Sequence, residues 1–179
     1  MKKYSIIILL SIAAFTSLSA QQQWKVDSQN SQIKFKIKNF GLWVNGTFSG
    51  LQASIKFDPS NLSGSSITAS VESKTVNTEL GMRDDHLRKD DFFDVEKYPN
   101  IKFVSKLIRK NNDQLEVIGD LYIKSAVRSV TIPFTFKESG NTAVFNGTFE
   151  IKRTDFGIGG KGGTMNERVY LELNVLVIK

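Results

Sequence analysis

SQIKFKIKNF, residues 31–40, decides the fold class. Ile33, Phe35 and Ile37 alternate with Lys34, Lys36 and Lys38. In an extended chain this puts three apolar side chains on one face and three ammonium groups on the other. The register is therefore strongly specified. A slip of one residue would bury the lysines, at a cost of several kcal/mol each.

The same period of two recurs along the chain. Leu51, Ala53, Ile55 and Phe57 share one face, as do Ile67, Ala69 and Val71, then Ile101, Phe103, Ser105 and Leu107. Leu115, Val117, Gly119, Leu121 and Ile123 follow, then Val130, Ile132, Phe134 and Phe136. Ala143, Phe145, Gly147, Phe149 and Ile151 precede the last set, Val169, Leu171, Leu173, Val175 and Val177. Turn chemistry joins them at Asn111-Asn112-Asp113, Ser139-Gly140-Asn141 and Asp58-Pro59-Ser60-Asn61. Eight alternating segments joined this way predict an all-β antiparallel meander. That number closes into a small barrel, which removes exposed edges, although periodicity alone fits a two-sheet sandwich equally well.

One stretch departs from strand chemistry: RDDHLRKDDFFDVEKYP, residues 83–99. Asp84, Asp85, Asp90, Asp91 and Asp94 suit turns and helix starts, while Phe92, Phe93 and Tyr98 are too apolar for a free loop. The reading is one or two short helices near residues 79–95 that lay an aromatic side on the barrel. Their aspartates are expected to start the helices and to pair with Arg83, Arg88 and Lys89.

Lys2 and Lys3, the apolar run from Ile6 through Phe15, and the small residues Ser17, Ser19 and Ala20 form the three parts of a secretory signal peptide. The domain reading is a signal over residues 1–20, cleaved after Ala20 or Ser19, followed by one domain over 21–179. The expected location is periplasmic or secreted. The chain has no cysteine, so its hydrophobic core holds it without disulfides. A net charge of +6 with no basic cluster interleaved with aromatics gives no evidence for nucleic acid, and none is expected as a partner. The first apolar run is too short for a stable membrane span, which needs about 20 residues. Lys34, Lys36 and Lys38 would crowd a narrow lumen, and no aromatic girdles are evident, so the lysine face points outward and the interior is apolar. That interior is either a filled core or a cavity. A homodimer stays open.

Ordered motifs span nearly the whole of residues 21–179: Trp24-x-Val26-Asp27, Gly46-x-Phe48, Phe57-Asp58-Pro59, Val76-Asn77-Thr78 and Arg83-Asp84-x-His86-Leu87. Asp91-Phe92-Phe93-Asp94, Lys97-Tyr98-Pro99, Phe103-x-Ser105, Val117-x-Gly119-x-Leu121 and Arg153-Thr154-Asp155-Phe156-Gly157 complete the set. Together they resemble the YceI-like family of secreted bacterial proteins. Asn30, Ser125 and Lys152 stand where that family often has His, Gly and Asn. The resemblance implies a lipocalin-like eight-stranded barrel whose pore holds a polyisoprenoid or other long apolar lipid, with no cofactor and no catalytic group. The lining expected for that ligand is Phe35, Ile37, Phe103, Phe134, Phe136, Phe145 and Phe149, with Phe92 and Phe93 flanking or covering it.

Other chemistry has weaker support. His86 is the lone histidine and has no convergent partners for a metal. The aspartates lack the glycine and closing glutamate of a calcium loop. Gly157-Ile158-Gly159-Gly160-Lys161-Gly162 matches GxGxxG, but a strand follows where dinucleotide binding needs a helix. No HExxH, GxSxG or cysteine nucleophile is present. The Asn-Gly pairs at Asn45 and Asn146 read as turns. The functional reading is non-enzymatic binding, storage or transport of a long apolar lipid. Its competitors are a lipid-associated enzyme and a filled-core structural or partner-binding barrel.

Overall fold

The computed structural model describes residues 22–179; the expected export signal and both cleavage sites lie outside the described residues. Ten strands form one antiparallel sheet: β1 (Gln23–Val26), β2 (Gln32–Asn39), β3 (Leu42–Phe48), β4 (Gln52–Lys56), β5 (Ser66–Glu72), β6 (Asn100–Asn111), β7 (Gln114–Ile123), β8 (Ala126–Ser139), β9 (Thr142–Lys152) and β10 (Met165–Ile178). Ten strands occupy eight positions, because β1 and β2 lie end to end along β10, through Val26–Val177 and Gln32–Asn174. β3 and β4 in turn lie along β2 and β1. The ring closes where β1 pairs with both β4 and β10, giving a closed eight-stranded antiparallel barrel.

Local chemistry creates the break between β1 and β2. The Asp27 carboxylate accepts from the Gln29 and Asn30 amides and from the Asn30 side chain, and these bonds hold its pKa below the usual carboxylate value. Ser31 Oγ then bridges the strands, donating to the Asp27 carbonyl and accepting from the Leu176 amide. Asn30, one of the departures from the family pattern, thus belongs to this turn.

Faces alternate as the lysine pattern demands. Ile37 is buried, Ile33 and Phe35 are partly buried and packed on the core, and Lys34, Lys36 and Lys38 are exposed. The exterior of β2 is thus charged and the interior apolar, the reverse of a membrane barrel. No helix among the described residues is long and apolar enough to cross a membrane.

Three sequence expectations need correction. Leu107 does not share the inward face of Phe103: the β6 register shifts between Ser105 and Leu107, so Leu107 turns outward and Ile108 is buried. Lys106, in the bulge, reaches Asp120 at 2.7 Å. The Asn-Gly pairs at Asn45 and Asn146 are strand interiors of β3 and β9, not turns. In the charged block a single α-helix, α1 (Gly81–Leu87), forms, and its aspartates act differently from expectation. Asp85 does pair with Arg88 at 2.8 Å. Asp84, however, is buried and accepts from the Thr78 amide and hydroxyl, while Arg83 donates to Thr78 Oγ1 and its carbonyl.

Candidate functional site

The barrel is sealed at one end by rings. Trp24 donates its indole N–H to the Phe57 carbonyl at 3.0 Å, and Phe57 stands 4.8 Å from Phe136, 5.2 Å from Phe145 and 5.8 Å from Phe134, centroid to centroid. Edge-on contacts of this kind are favourable for aromatic quadrupoles, and Phe57 and Trp24 are almost fully buried. This is the floor.

Above the floor lies an apolar cavity of about 230 Å³. Its wall is built from the inward period of the strands, including Phe35, Ile37, Phe103, Phe134, Phe145 and Phe149. Phe92 and Phe93 lie over it from the segment after α1, with Phe93 edge-on to Phe48 at 5.5 Å. Phe136 is the exception among the expected lining residues. It packs against Trp24 and Phe57 in the floor, because strand β8 has reached the closed end by that position. Small side chains leave the space: Ala53 and Ala69 line the wall where larger residues would fill it.

Sequence reasoning missed several wall residues. Leu87 and Ile158 come from non-strand segments and carry no strand period that would have marked them. Arg153 was visible only as part of a motif. It is 2% exposed, within the 3-10 turn after β9, and borders the cavity. Its guanidinium donates to the carbonyls of Ile158, Gly160, Met165 and Asn166, at 2.8–2.9 Å. Burial pushes its pKa down, and the nearby Glu167 charge opposes that shift. The glycine-rich segment singled out in the sequence is therefore wrapped around a cation and opens into β10, not into a helix.

The mouth is formed by four segments: the β2–β3 hairpin, residues 73–99 with α1, the β7–β8 turn, and residues 153–164. Lys124 from the β7–β8 turn donates to the Asp90 carbonyl at 2.7 Å and the Gly157 carbonyl at 3.3 Å, and the Gly159 amide donates to the Asp91 carbonyl at 2.7 Å. These bonds tie the mouth segments together beside Phe92 and Phe93.

A second concavity, about 830 Å³, runs along the outer wall of β9, β10, β2 and β3. It is larger but open and charged, with Lys34, Lys36, Glu150 and Glu172 on its rim. An apolar chain gains more from the enclosed interior. Among the described residues no three His, Asp or Glu side chains converge, and His86 meets one carboxylate, Asp91, at 2.9 Å and in solvent, with its ring edge-on to Phe92. What this arrangement offers is an apolar slot, closed below and covered above.

Comparison with known proteins agrees with that geometry. The family model described as a YceI-like domain matches residues 24–177. A UPF0312 protein of Pseudomonas paraeruginosa is 32% identical, over 98% of this chain and 97% of its own length. The crystal structure of Burkholderia cenocepacia BcnA superposes with a TM-score of 0.81 at 27% identity, covering 84% of this chain and 98% of that one. A polyisoprenoid-binding domain from Saccharophagus degradans, implicated in plant cell wall breakdown, shares the fold with a TM-score of 0.71 at 12% identity, covering 87% of this chain and 97% of that one.

Proposed function

From the premise that the chain belongs to the YceI-like family, we propose that it is a non-enzymatic carrier that binds, stores or transports a long apolar lipid, polyisoprenoid-like in character, in the barrel interior. One observation carries this reading: the apolar cavity of about 230 Å³ between the aromatic floor and the Phe92–Phe93 cover. A volume slightly below the usual 300–1,000 Å³ of small-molecule sites suits a slender chain better than a bulky ring system. If about ten chain carbons enter at ~0.8 kcal/mol each, the gross gain is roughly 8 kcal/mol, partly offset by lost chain freedom. The description of the Saccharophagus degradans domain as polyisoprenoid-binding is consistent with such a ligand. Phe35, Ile37, Phe92, Phe93, Phe103, Phe134, Phe145 and Phe149 are its proposed contacts. Export to the periplasm or medium, read from residues 1–20, would place the carrier outside the cytoplasm.

The test is extraction of the purified protein with organic solvent, followed by mass spectrometry, on the parent and on Ala69→Trp. Ala69 lines the cavity, so the indole should displace ligand while the barrel still unfolds cooperatively. The expected result is lipid in the parent extract and little in the variant. A parent that carries no lipid and takes up no added polyprenol, together with a variant that is simply destabilised, would establish the filled-core barrel instead.

A further inference from the structure

The β2–β3 hairpin ends in a two-residue turn, Phe40–Gly41, with φ of 51° and 78°. Positive φ at both positions belongs to the turn type that favours Asn-Gly or Gly-Gly. A phenylalanine there is costly, and it gains little from burial, since Phe40 is 76% exposed. Leu42 beside it is 73% exposed, and Trp43 is half exposed. Strain together with exposed apolar surface at one tip has no account in the stability of the barrel.

The charges carried by the hairpin itself are of one sign. Residues 28–57 contain no Asp or Glu, and neither do residues 156–166. Lys36 and Lys38 place their ammonium groups 5.2 and 5.1 Å from the Trp43 ring, and Lys36 also lies 5.9 Å from Tyr170. The tip is tied to the glycine-rich segment, since the Phe40 amide donates to the Thr164 carbonyl and Thr164 Oγ1 donates to Asn39 Oδ1. That segment adds an exposed Lys161. The acid on β10 nearest the tip is the exposed Glu167, two residues past Met165; Glu172 faces Lys34 and Glu150 pairs with Arg168, both farther down the outer wall. Apolar prongs with lysines behind them and a tryptophan between are the composition that settles at a bilayer interface, with rings at the headgroup level and ammonium groups on anionic lipids.

We infer that the Phe40–Trp43 hairpin docks the mouth of the barrel onto an anionic lipid bilayer. The cavity lining reaches the same end at Ile37, Phe92 and Met165, so an apolar chain leaving the bilayer would meet the interior across a short path. The purpose of docking rests on the carrier reading; the docking itself rests on the hairpin.

Sedimentation with vesicles tests it. The purified protein should pellet with phosphatidylethanolamine–phosphatidylglycerol vesicles at low salt, stay in solution with phosphatidylcholine alone, and be released by about 0.5 M NaCl. Phe40→Asp combined with Leu42→Asp should lower partitioning about tenfold or more. Both sites are exposed, so the variant should keep the parent melting temperature and the parent uptake of a fluorescent polyene fatty acid from solution. Unchanged pelleting of the double variant would overturn the inference, as would a parent that stays in the supernatant with anionic vesicles. So would light scattering that shows a stable dimer in the parent and a monomer in the variant, because a second copy would then cover the hairpin. Failure of the polyene uptake in the parent would instead count against the carrier reading and leave the vesicle result to stand by itself.

Discussion

Arg153 shows how a single residue can organise a barrel mouth. A buried guanidinium normally calls for a carboxylate, yet here its hydrogen-bond acceptors are four backbone carbonyls. The planar fork allows Nε, Nη1 and Nη2 to reach both arms of the segment between the 3-10 turn and β10 at once. Lysine could keep the charge but not the geometry, since its three donors radiate from one atom. Arg153→Lys should therefore cost roughly 2–4 kcal/mol in urea unfolding, through carbonyls left without partners. Because arginine stays protonated at every accessible pH, the parent's clamp should hold equally at pH 5 and pH 8. An Arg153→Lys variant with the parent's urea midpoint would show that the carbonyl clamp is not what the residue supplies. The motif containing Arg153 was legible in the sequence, but not this role, because the four carbonyls that define it belong to a segment whose path no side-chain pattern encodes.

At the scale of strands, two glycines on inward faces explain how large rings fit a narrow barrel. A Cβ on Gly46 would fall 2.2 Å from the Phe35 ring tip, whereas one on Gly119 would fall 2.4 Å from the Val104 carbonyl oxygen as well as 2.6 Å from the Phe103 ring. The first clash is with a side chain bordering the cavity, and the second is with backbone. Gly46→Ala should therefore push Phe35 inward and reduce lipid uptake with little change in melting temperature. Gly119→Ala should force β6 from β7 beside the bulge and cost about 1–3 kcal/mol, readable as a lower urea midpoint. Equal destabilisation by both would refute the distinction. The strands themselves were largely legible, because a period of two survives wherever one face is wet. Two strands were not: β1 is only four residues long, and β3 carries Leu42 and Trp43, apolar residues side by side that blur the alternation. The count of eight still stood, since each missed strand continues a position that β2 or β4 already occupies. The bulge at Lys106 was invisible for another reason, as Ser105 and Leu107 keep the period that the backbone breaks.

Across the whole molecule, the floor and the mouth are built from different chemistry, and that difference assigns the direction of entry. The floor interlocks Trp24, Phe57 and Phe136, so opening it would break the core. Beside Phe92 the mouth segments are joined to one another by a few hydrogen bonds at the protein surface, the kind of contact that local opening can break without unfolding the barrel. Lys124 is the link that spans two of its segments, through the Asp90 and Gly157 carbonyls. A charged donor bonded in this way contributes about 1.5–3 kcal/mol where it is shielded and less in solvent. Lys124→Ala should thus raise the rates of uptake and release of a fluorescent lipid together, by about fivefold to tenfold, because it lowers the barrier without changing the wall of the cavity. The equilibrium affinity should move little. Stopped-flow measurement of both rates decides the point. An unchanged uptake rate would mean that chains do not enter between the Phe92 segment and the 153–160 turn, and a change in affinity alone would mean that Lys124 acts on the bound state rather than on the path to it.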